Sequence, residues 1–135
     1  MSGAELIDSN IWIYDHQDAP DDPRSALAWA FVRRETHIVI SAQVVAEYFN
    51  IVRRKDEEER ILRNIARMLR RCRVQPLDSA VIQRTLAIRK RYGFSIWDSQ
   101  IVAAALEADC RRLYTEDLQH GQVIETLEII DPFKA

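Results

Sequence analysis

Glycine is scarce in this chain: only three glycines occur among 135 residues, and no two lie close together. A G-x-G-x-x-G fingerprint or a G-x-x-x-x-G-K phosphate loop needs closely spaced glycines, because the backbone must turn tightly around the phosphates. The three histidines, His16, His37 and His120, form no H-E-x-x-H pair, and the chain has no G-x-S-x-G elbow. The sequence therefore excludes nucleotide-cofactor chemistry through those phosphate cradles and lacks the zincin and serine-hydrolase signatures.

Cysteine and long apolar runs are also in short supply. Cys72 and Cys110 are far apart and have no C-x-x-C or Cys/His ligand spacing, which predicts buried, reduced thiols and no zinc site. No stretch approaches the ~18 uninterrupted apolar residues of a membrane span, and the start, MSGAELIDSN, lacks the basic and then apolar pattern of an export signal. We therefore expect a cytoplasmic protein with no membrane partner.

The composition that remains is typical of one globular domain. Hydrophobic residues make up 47% of the sequence and charged residues 30%, and a chain of this length buries roughly two thirds of its unfolded surface. We expect residues 1–135 to form a single domain. Short β-like runs alternate with helical patterns, which favours an α/β fold with parallel βαβ units and helices on both faces of the sheet. The expected strands are residues 4–8, 37–40, 73–76, 112–115 and 126–130.

Capping residues predict where the helices begin. After the first strand and a polar loop, Asp22-Pro23 predicts a helix start, because aspartate caps well and proline is favoured at the first helical position. This helix should run to about residue 34. Ser41 is expected to cap the helix that carries Glu47. A further helix should start at residue 78 or 79 and end near residue 92, where Gly93 suits a left-handed termination.

Arginine is concentrated in the stretch RILRNIARMLRRCR at residues 60–73, which contains no acid. Helical spacing predicts an apolar side and a basic side. The apolar side comprises Ile61, Ile65, Met68, Leu69 and Cys72, and the basic side, called the arginine stripe below, comprises Arg60, Arg63, Arg67, Arg70 and Arg71. The stripe has two interpretations: the solvated face of an ordinary amphipathic helix, or a contact surface for phosphates or an acidic partner.

Four acids lie just past β-like runs or near helix starts. Asp8 closes the first strand, Glu47 lies two turns into the helix after the second, Asp98 is in the first turn of a helix, and Asp117 follows the fourth strand. In an open parallel sheet, ligands bind beyond the carboxyl ends of the strands, so we expect these acids at one edge. A like-charged pair at ~4 Å costs about 4 kcal/mol at an effective dielectric of ~20. Such a cluster must take up protons or bind a hard cation.

Asp98 also has a purely structural interpretation. The segment from Ser95 to Asp98 fits the capping-box pattern, in which an acid three residues after the cap returns a hydrogen bond to the backbone N–H of the cap. The stretch that follows, IVAAALEADC, is apolar on most sides and predicts a central, buried helix.

Four segments, LIDSNIWIY, SAQVVAEYFN, SIWDSQIVAAAL and LYTEDL, carry a family resemblance when taken in this order. They resemble the PIN domain family, in particular the small toxins of VapBC-type toxin–antitoxin pairs. The resemblance implies a three-layer α/β/α sandwich with a mostly parallel five-stranded sheet, and metal-dependent endoribonuclease activity with Mg²⁺ or Mn²⁺. It implies catalytic roles for Asp8, Glu47, Asp98 and Asp117, with Asp8, Asp98 and Asp117 as metal ligands. Glu47 would either orient the attacking water or hold a second metal ion, and the sequence does not distinguish one-metal from two-metal chemistry.

Other positions near the site match the family less completely. Ser9, Asn10 and Thr115 match supporting polar positions. Gln119 departs from the pattern, because many relatives carry a further acid there. Glu116 is another candidate supporting residue, although strand geometry predicts that its side chain points away from that of the next residue.

The resemblance also implies an RNA substrate, a homodimer and a cognate antitoxin protein, with the arginine stripe as a possible RNA or partner contact. Two alternatives remain open. The domain could be a catalytically inert interaction module, an interpretation that Gln119 favours. It could instead be a housekeeping RNA-processing nuclease.

Overall fold

The structure, a computed structural model, describes residues 3–17 and 19–134. Helices flank a mostly parallel sheet, which confirms the α/β fold class. The strands are β1 (Ala4–Ile7), β2 (Ile38–Ser41), β3 (Arg73–Gln75), β4 (Cys110–Tyr114), β5 (Val123–Ile124) and β6 (Leu127–Ile130). The helices are α1 (Ser9–His16), α2 (Pro23–Arg34), α3 (Ala42–Val52), α4 (Glu58–Arg71), α5 (Ser79–Tyr92) and α6 (Ile96–Glu107).

The sheet has six strands in the order β3-β2-β1-β4-β6-β5, so the expectation of five strands is corrected. The added strand, β5, has two residues and pairs antiparallel with β6, while the other neighbours pair in parallel. Glu125, between β5 and β6, has a φ of 54°, the left-handed geometry of a tight hairpin. Such a short strand has no alternation for a sequence pattern to detect.

Strand order reverses between β1 and β4, which lie side by side in the centre of the sheet. From β1 the chain moves one way to β2 and β3, and β4 then begins the other half. Ligands bind at such a reversal in open α/β sheets, beyond the carboxyl ends of the strands. Asp8 follows β1 at this position and Thr115 follows β4.

Helix starts agree closely with the sequence signals. Asp22 and Ser41 cap α2 and α3, and Ser95 caps α6. Gly93 ends α5 with a φ of 73°, which only glycine adopts without strain. The buried run from Ile101 to Leu106 makes α6 a central helix, as expected.

Two expectations about helices were wrong. Helix α1 occupies much of the segment expected to be a polar loop; it is capped by Asp8 and buries Ile11 and Trp12 against the core. In α4, Leu69 is 42% exposed, although helical spacing placed it on the apolar side. Asn64, which helical spacing did not place on the apolar side, is buried and donates to the hydroxyl of Tyr48 at 3.2 Å.

Both cysteines are free and buried, as the sequence predicted. Burial raises the pKa of Cys72 to about 11 and that of Cys110 to about 12, so both thiols stay protonated near neutral pH. No helix within the described residues is long and apolar enough to cross a membrane.

Candidate functional site

The structure brings Asp8, Glu47, Asp98 and Asp117 to one cavity of about 300 Å³. They arrive from four separate parts of the chain: the end of β1, the middle of α3, the first turn of α6 and the loop after β4. The remaining lining residues are Ser9, Asn10, Gln43, Asn50, Ile51 and Ile101. We call this the acidic cavity.

Asp8 is the most buried of the four acids, with 6% of its surface exposed. As the N-cap of α1, its Oδ1 accepts from the backbone N–H of Ser9 at 2.7 Å, and its Oδ2 accepts from the Thr115 hydroxyl at 2.8 Å. Burial raises the pKa of Asp8 from its ordinary value of 3.8 to about 6, and the negative charges of Asp117 and Glu47 add to the rise against the hydrogen bonds. A carboxylate oxygen accepts about two hydrogen bonds, so Asp8 keeps lone pairs free for a further ligand.

Two side chains orient Glu47. The hydroxyl of Ser9 lies 3.3 Å from Glu47 Oε1 and 3.4 Å from Asp8 Oδ1, so it bridges the two acids. Gln43, one turn earlier on α3, donates its Nε2 to Glu47 Oε2 at 3.3 Å. Ser9, predicted to be a supporting residue, therefore contacts both acids.

Asp98 and Asp117 are both more exposed than Asp8. The backbone N–H of Asp98 donates to Ser95 Oγ at 3.1 Å, which is the first half of the capping box, while the carboxylate of Asp98 lines the cavity. The backbone N–H of Asp117 donates to Thr115 Oγ1 at 3.1 Å. The pKa of Asp117 is raised, first by burial and then by the negative charges of Asp98, Glu116 and Glu47. Thr115 thus contacts both Asp8 and the Asp117 backbone.

Of the other candidates, Asn10 lines the acidic cavity and several lie away from it. Glu116 lies outside the lining and accepts from the hydroxyl of Tyr14 at 2.6 Å. Gln119 and His120 are exposed and also outside the lining. The arginine stripe contributes no residue to the lining.

Four lining residues were not predicted from the sequence: Gln43, Asn50, Ile51 and Ile101. A helical signal for three of them was available, because Gln43 lies four residues before Glu47, and Asn50 and Ile51 lie three and four residues after it, so all three share its face of α3. For Ile101 no signal distinguished a cavity wall from ordinary core packing.

The donors in the cavity suit a hard divalent cation, because carboxylate oxygens are the ligands that Mg²⁺ and Mn²⁺ prefer. The pKa values of Asp8 and Asp117 are raised first by burial and then by neighbouring acids, and no cationic side chain is among the main influences on either pKa. Across residues 3–17 and 19–134, however, no three acidic, histidine or cysteine side chains form a group that could hold a metal ion as they stand. Binding a cation would require the carboxylates to draw closer together.

Comparison with solved structures shows the same fold in several toxins. VapC20 of Mycobacterium tuberculosis, a sarcin–ricin loop cleaving toxin, has a TM-score of 0.71 and 16% identity, covering 84% of this chain and 90% of that chain. A toxin–antitoxin complex from Klebsiella pneumoniae has a TM-score of 0.72 and 20% identity, covering 96% and 98%. DNA-bound VapBC from Salmonella typhimurium has a TM-score of 0.72 and 19% identity, covering 98% and 99%.

Sequence comparison supplies the family. No curated protein matches the chain. The family model described as the PIN domain matches residues 6–124, which include all four acids of the cavity. This match spans well over half of the sequence. The chain therefore belongs to the PIN domain family.

Proposed function

We propose that this protein is a metal-dependent endoribonuclease and the toxin of a VapBC-type toxin–antitoxin pair. The observation that carries the proposal is the meeting of Asp8, Glu47, Asp98 and Asp117 in one cavity at the strand-order reversal of a PIN domain. Bringing these negative charges together opposes folding through electrostatic repulsion. Binding of a cation and a phosphodiester at this site would explain why the fold keeps the four acids together. The likeness in fold to VapC20, a sarcin–ricin loop cleaving toxin, supports the same assignment.

In this proposal Asp8, Asp98 and Asp117 hold Mg²⁺ or Mn²⁺. Asp8 is suited to this role because Ser9 and Thr115 fix its orientation and leave lone pairs free. A bound divalent cation supplies Lewis-acid chemistry, lowering the pKa of water and stabilising charge on the phosphate.

Glu47 orients the attacking water in this proposal. Ser9 and Gln43 each donate to one of its carboxylate oxygens, which holds the group facing the cavity. Held in this way, Glu47 can accept a proton from a water placed against the phosphate.

An antitoxin protein is the proposed partner. The Klebsiella structure is a toxin–antitoxin complex, and the Salmonella VapBC structure is bound to DNA. We also propose a homodimer, on family membership. The arginine stripe remains a candidate surface for RNA or for a partner.

The test is RNA cleavage by the purified protein, with structured RNAs in Mn²⁺, in Mg²⁺ and in chelator. We expect cleavage in either metal and none in chelator. Asp8→Asn should lower the rate on the order of 100-fold or more, as loss of one group that stabilises developing charge typically does. Asp78→Asn is a matched control, because Asp78 also caps a helix but lies outside the acidic cavity.

Cleavage that persists in chelator would contradict metal dependence. No cleavage in any metal would favour the inert interaction module. If RNA is cut, induction in cells separates the two nuclease roles, since a toxin arrests growth whereas a housekeeping nuclease does not.

A further inference from the structure

A second cavity, largely apolar, adjoins the acidic cavity. Its volume is about 660 Å³. Gln43, Glu47 and Asn50 line both cavities, so the two lie side by side along α3. We call it the Trp97 groove; its other lining residues are Ala42, Ala46, Leu77, Trp97 and Gln100.

Trp97 lines this groove with an exposed side chain, and its backbone is hydrogen-bonded to a residue of the acidic cavity. It is 62% exposed, which is unusual for so large an aromatic side chain. Its backbone carbonyl accepts from Gln43 Nε2 at 3.1 Å, and the same amide nitrogen donates to Glu47 Oε2 at 3.3 Å. Gln43 therefore connects the backbone of Trp97 to an acid of the neighbouring cavity, and Asp98 is the next residue along the chain.

The polar groups around the groove are mainly side-chain amides. Gln100 donates its Nε2 to Gln43 Oε1 at 2.7 Å. Asn50 accepts from Arg53 Nε at 3.1 Å through its Oδ1. Gln43 is thus engaged within the protein, whereas among the described residues Asn50 Nδ2 and Gln100 Oε1 have no hydrogen-bond partner. A free donor and a free acceptor are the combination that reads the edge of a nucleobase. Arg53 adds a positive charge beside the two cavities, where a phosphate of a bound strand would be attracted.

We propose that the Trp97 groove binds an unpaired nucleobase next to the phosphate that enters the acidic cavity, with the base stacked on the Trp97 indole. This inference rests on the proposed function. Exposed aromatic rings bind single-stranded RNA by stacking, and proteins read such bases through polar side chains at the base edge. The shared lining of the groove and the acidic cavity favours RNA over a protein partner, because one strand can place a base in the first and its phosphate in the second.

Three substitutions test the stacking role. Trp97→Ala removes the ring, Trp97→Phe keeps an aromatic ring, and Trp97→Leu keeps apolar bulk without one. Trp29→Ala is the matched control: Trp29 is 55% exposed on α2 and lies under the guanidinium of Arg33, away from the groove. All four are made in the Asp8→Asn background to suppress cleavage, and circular dichroism verifies folding.

The measurement is the affinity for a short single-stranded RNA in Mn²⁺, by fluorescence anisotropy. We expect Trp97→Ala and Trp97→Leu to bind about tenfold more weakly, equivalent to ~1.4 kcal/mol, which is within the range for one stacked base. Trp97→Phe should retain most of the affinity, and Trp29→Ala should retain all of it. An oligonucleotide of the same length with abasic residues should bind equally to the parent and to Trp97→Ala.

Equal affinities for the Trp97 and Trp29 variants would overturn the proposal. An equal loss of affinity for the abasic strand would also overturn it. So would a change in the molecular mass of the protein in solution on Trp97→Leu with unchanged RNA affinity, because that result would assign the groove to a protein partner.

The base-binding proposal and the nuclease proposal can fail independently. If the unsubstituted protein cuts no RNA but Trp97→Ala weakens binding, only the nuclease is lost; if it cuts RNA and the Trp97 variants bind normally, only the base site is lost.

Discussion

Asp8 bears a negative charge where the fold disfavours one. Burial and neighbouring acids raise its pKa from 3.8 to about 6. Because the folded pKa lies above the unfolded value, the native state binds more protons between these pH values, and the free energy of unfolding falls as pH rises through that window. Near pH 7 the ionised Asp8 therefore costs roughly 3 kcal/mol, a cost expected at a functional site.

Asp8→Asn should accordingly stabilise the protein in chelator at pH 7, by about 1–3 kcal/mol, because asparagine can keep the helix cap without the charge. The gain should shrink towards pH 4, where Asp8 is protonated in the folded protein. Urea denaturation at both pH values measures it. Asp78→Asn, at an exposed cap, should show little change, and a gain as large at pH 4 as at pH 7 would contradict the electrostatic explanation.

Asp98→Asn should abolish RNA cleavage while leaving the fold intact. The capping bond at this position uses the backbone N–H of Asp98, which asparagine retains, whereas the carboxylate lines the acidic cavity. Cleavage assays and thermal melting give the two readouts. Ser95→Ala should show the opposite profile: a loss of about 1 kcal/mol of stability with cleavage retained. A variant at Asp98 that cuts RNA at the normal rate would refute the assignment.

Helix α4 divides the arginine stripe into two kinds of residue. Arg60 donates to the carbonyl of His16 at 3.3 Å, at the end of α1. Arg71 donates to the carbonyls of Val32 and Glu35 at the end of α2. Both arginines thus provide hydrogen-bond donors to backbone carbonyls at helix C-termini, where a positive charge is favourable. Arg63, Arg67 and Arg70 are exposed and remain the part of the stripe open to a partner.

The division predicts unequal effects on stability. Arg71→Ala should lower the free energy of unfolding by about 1–2 kcal/mol, because it removes charged hydrogen bonds at a helix C-terminus. Arg67→Ala, one turn away and exposed, should change it by less than about 0.5 kcal/mol. Chemical denaturation of the two variants checks this, and equal losses would show that the carbonyl contacts of Arg71 do not stabilise the fold.

Within the described residues, helix α1 is the one helix that the sequence pattern did not predict. Asp8 was assigned to a metal site, yet the same side chain caps a helix, and the two roles are compatible because each uses different lone pairs. The eight residues of α1 also show only a short apolar pattern. Burial of Ile11 and Trp12 against the core stabilises the helix, and the indole N–H of Trp12 also donates to the carbonyl of Ile7 at 3.2 Å.

The whole molecule should respond to a divalent cation. Four acids from distant segments repel one another only in the folded state, so a cation that binds them stabilises folding. At 100 times its dissociation constant, Mn²⁺ should add ~2.7 kcal/mol and raise the melting temperature on the order of 10 °C. Differential scanning fluorimetry with Mn²⁺ and with chelator measures this. Asp98→Asn should show a smaller shift, and no shift in the unsubstituted protein would favour the inert module.

Interactions between residues close in sequence explain which structural features could be predicted from the sequence alone. Asp22, Ser41, Ser95 and Gly93 mark helix ends because each acts on backbone groups a few residues away. The short β-like runs likewise located five of the six strands. The signal is clearest for β1 and β2, because burial on both faces leaves a direct trace in composition. The order of the motifs was sufficient to indicate the family that residues 6–124 match.

Tertiary pairing decided the rest. The distance between Asp8 and Glu47 depends on how β1, β2 and β4 align, and no local pattern encodes that alignment. The same holds for the Gln43 link to Trp97, which joins residues 54 positions apart. Propensity acts over a few neighbouring residues, whereas the acidic cavity and the Trp97 groove arise from contacts between segments that meet only when the sheet has formed.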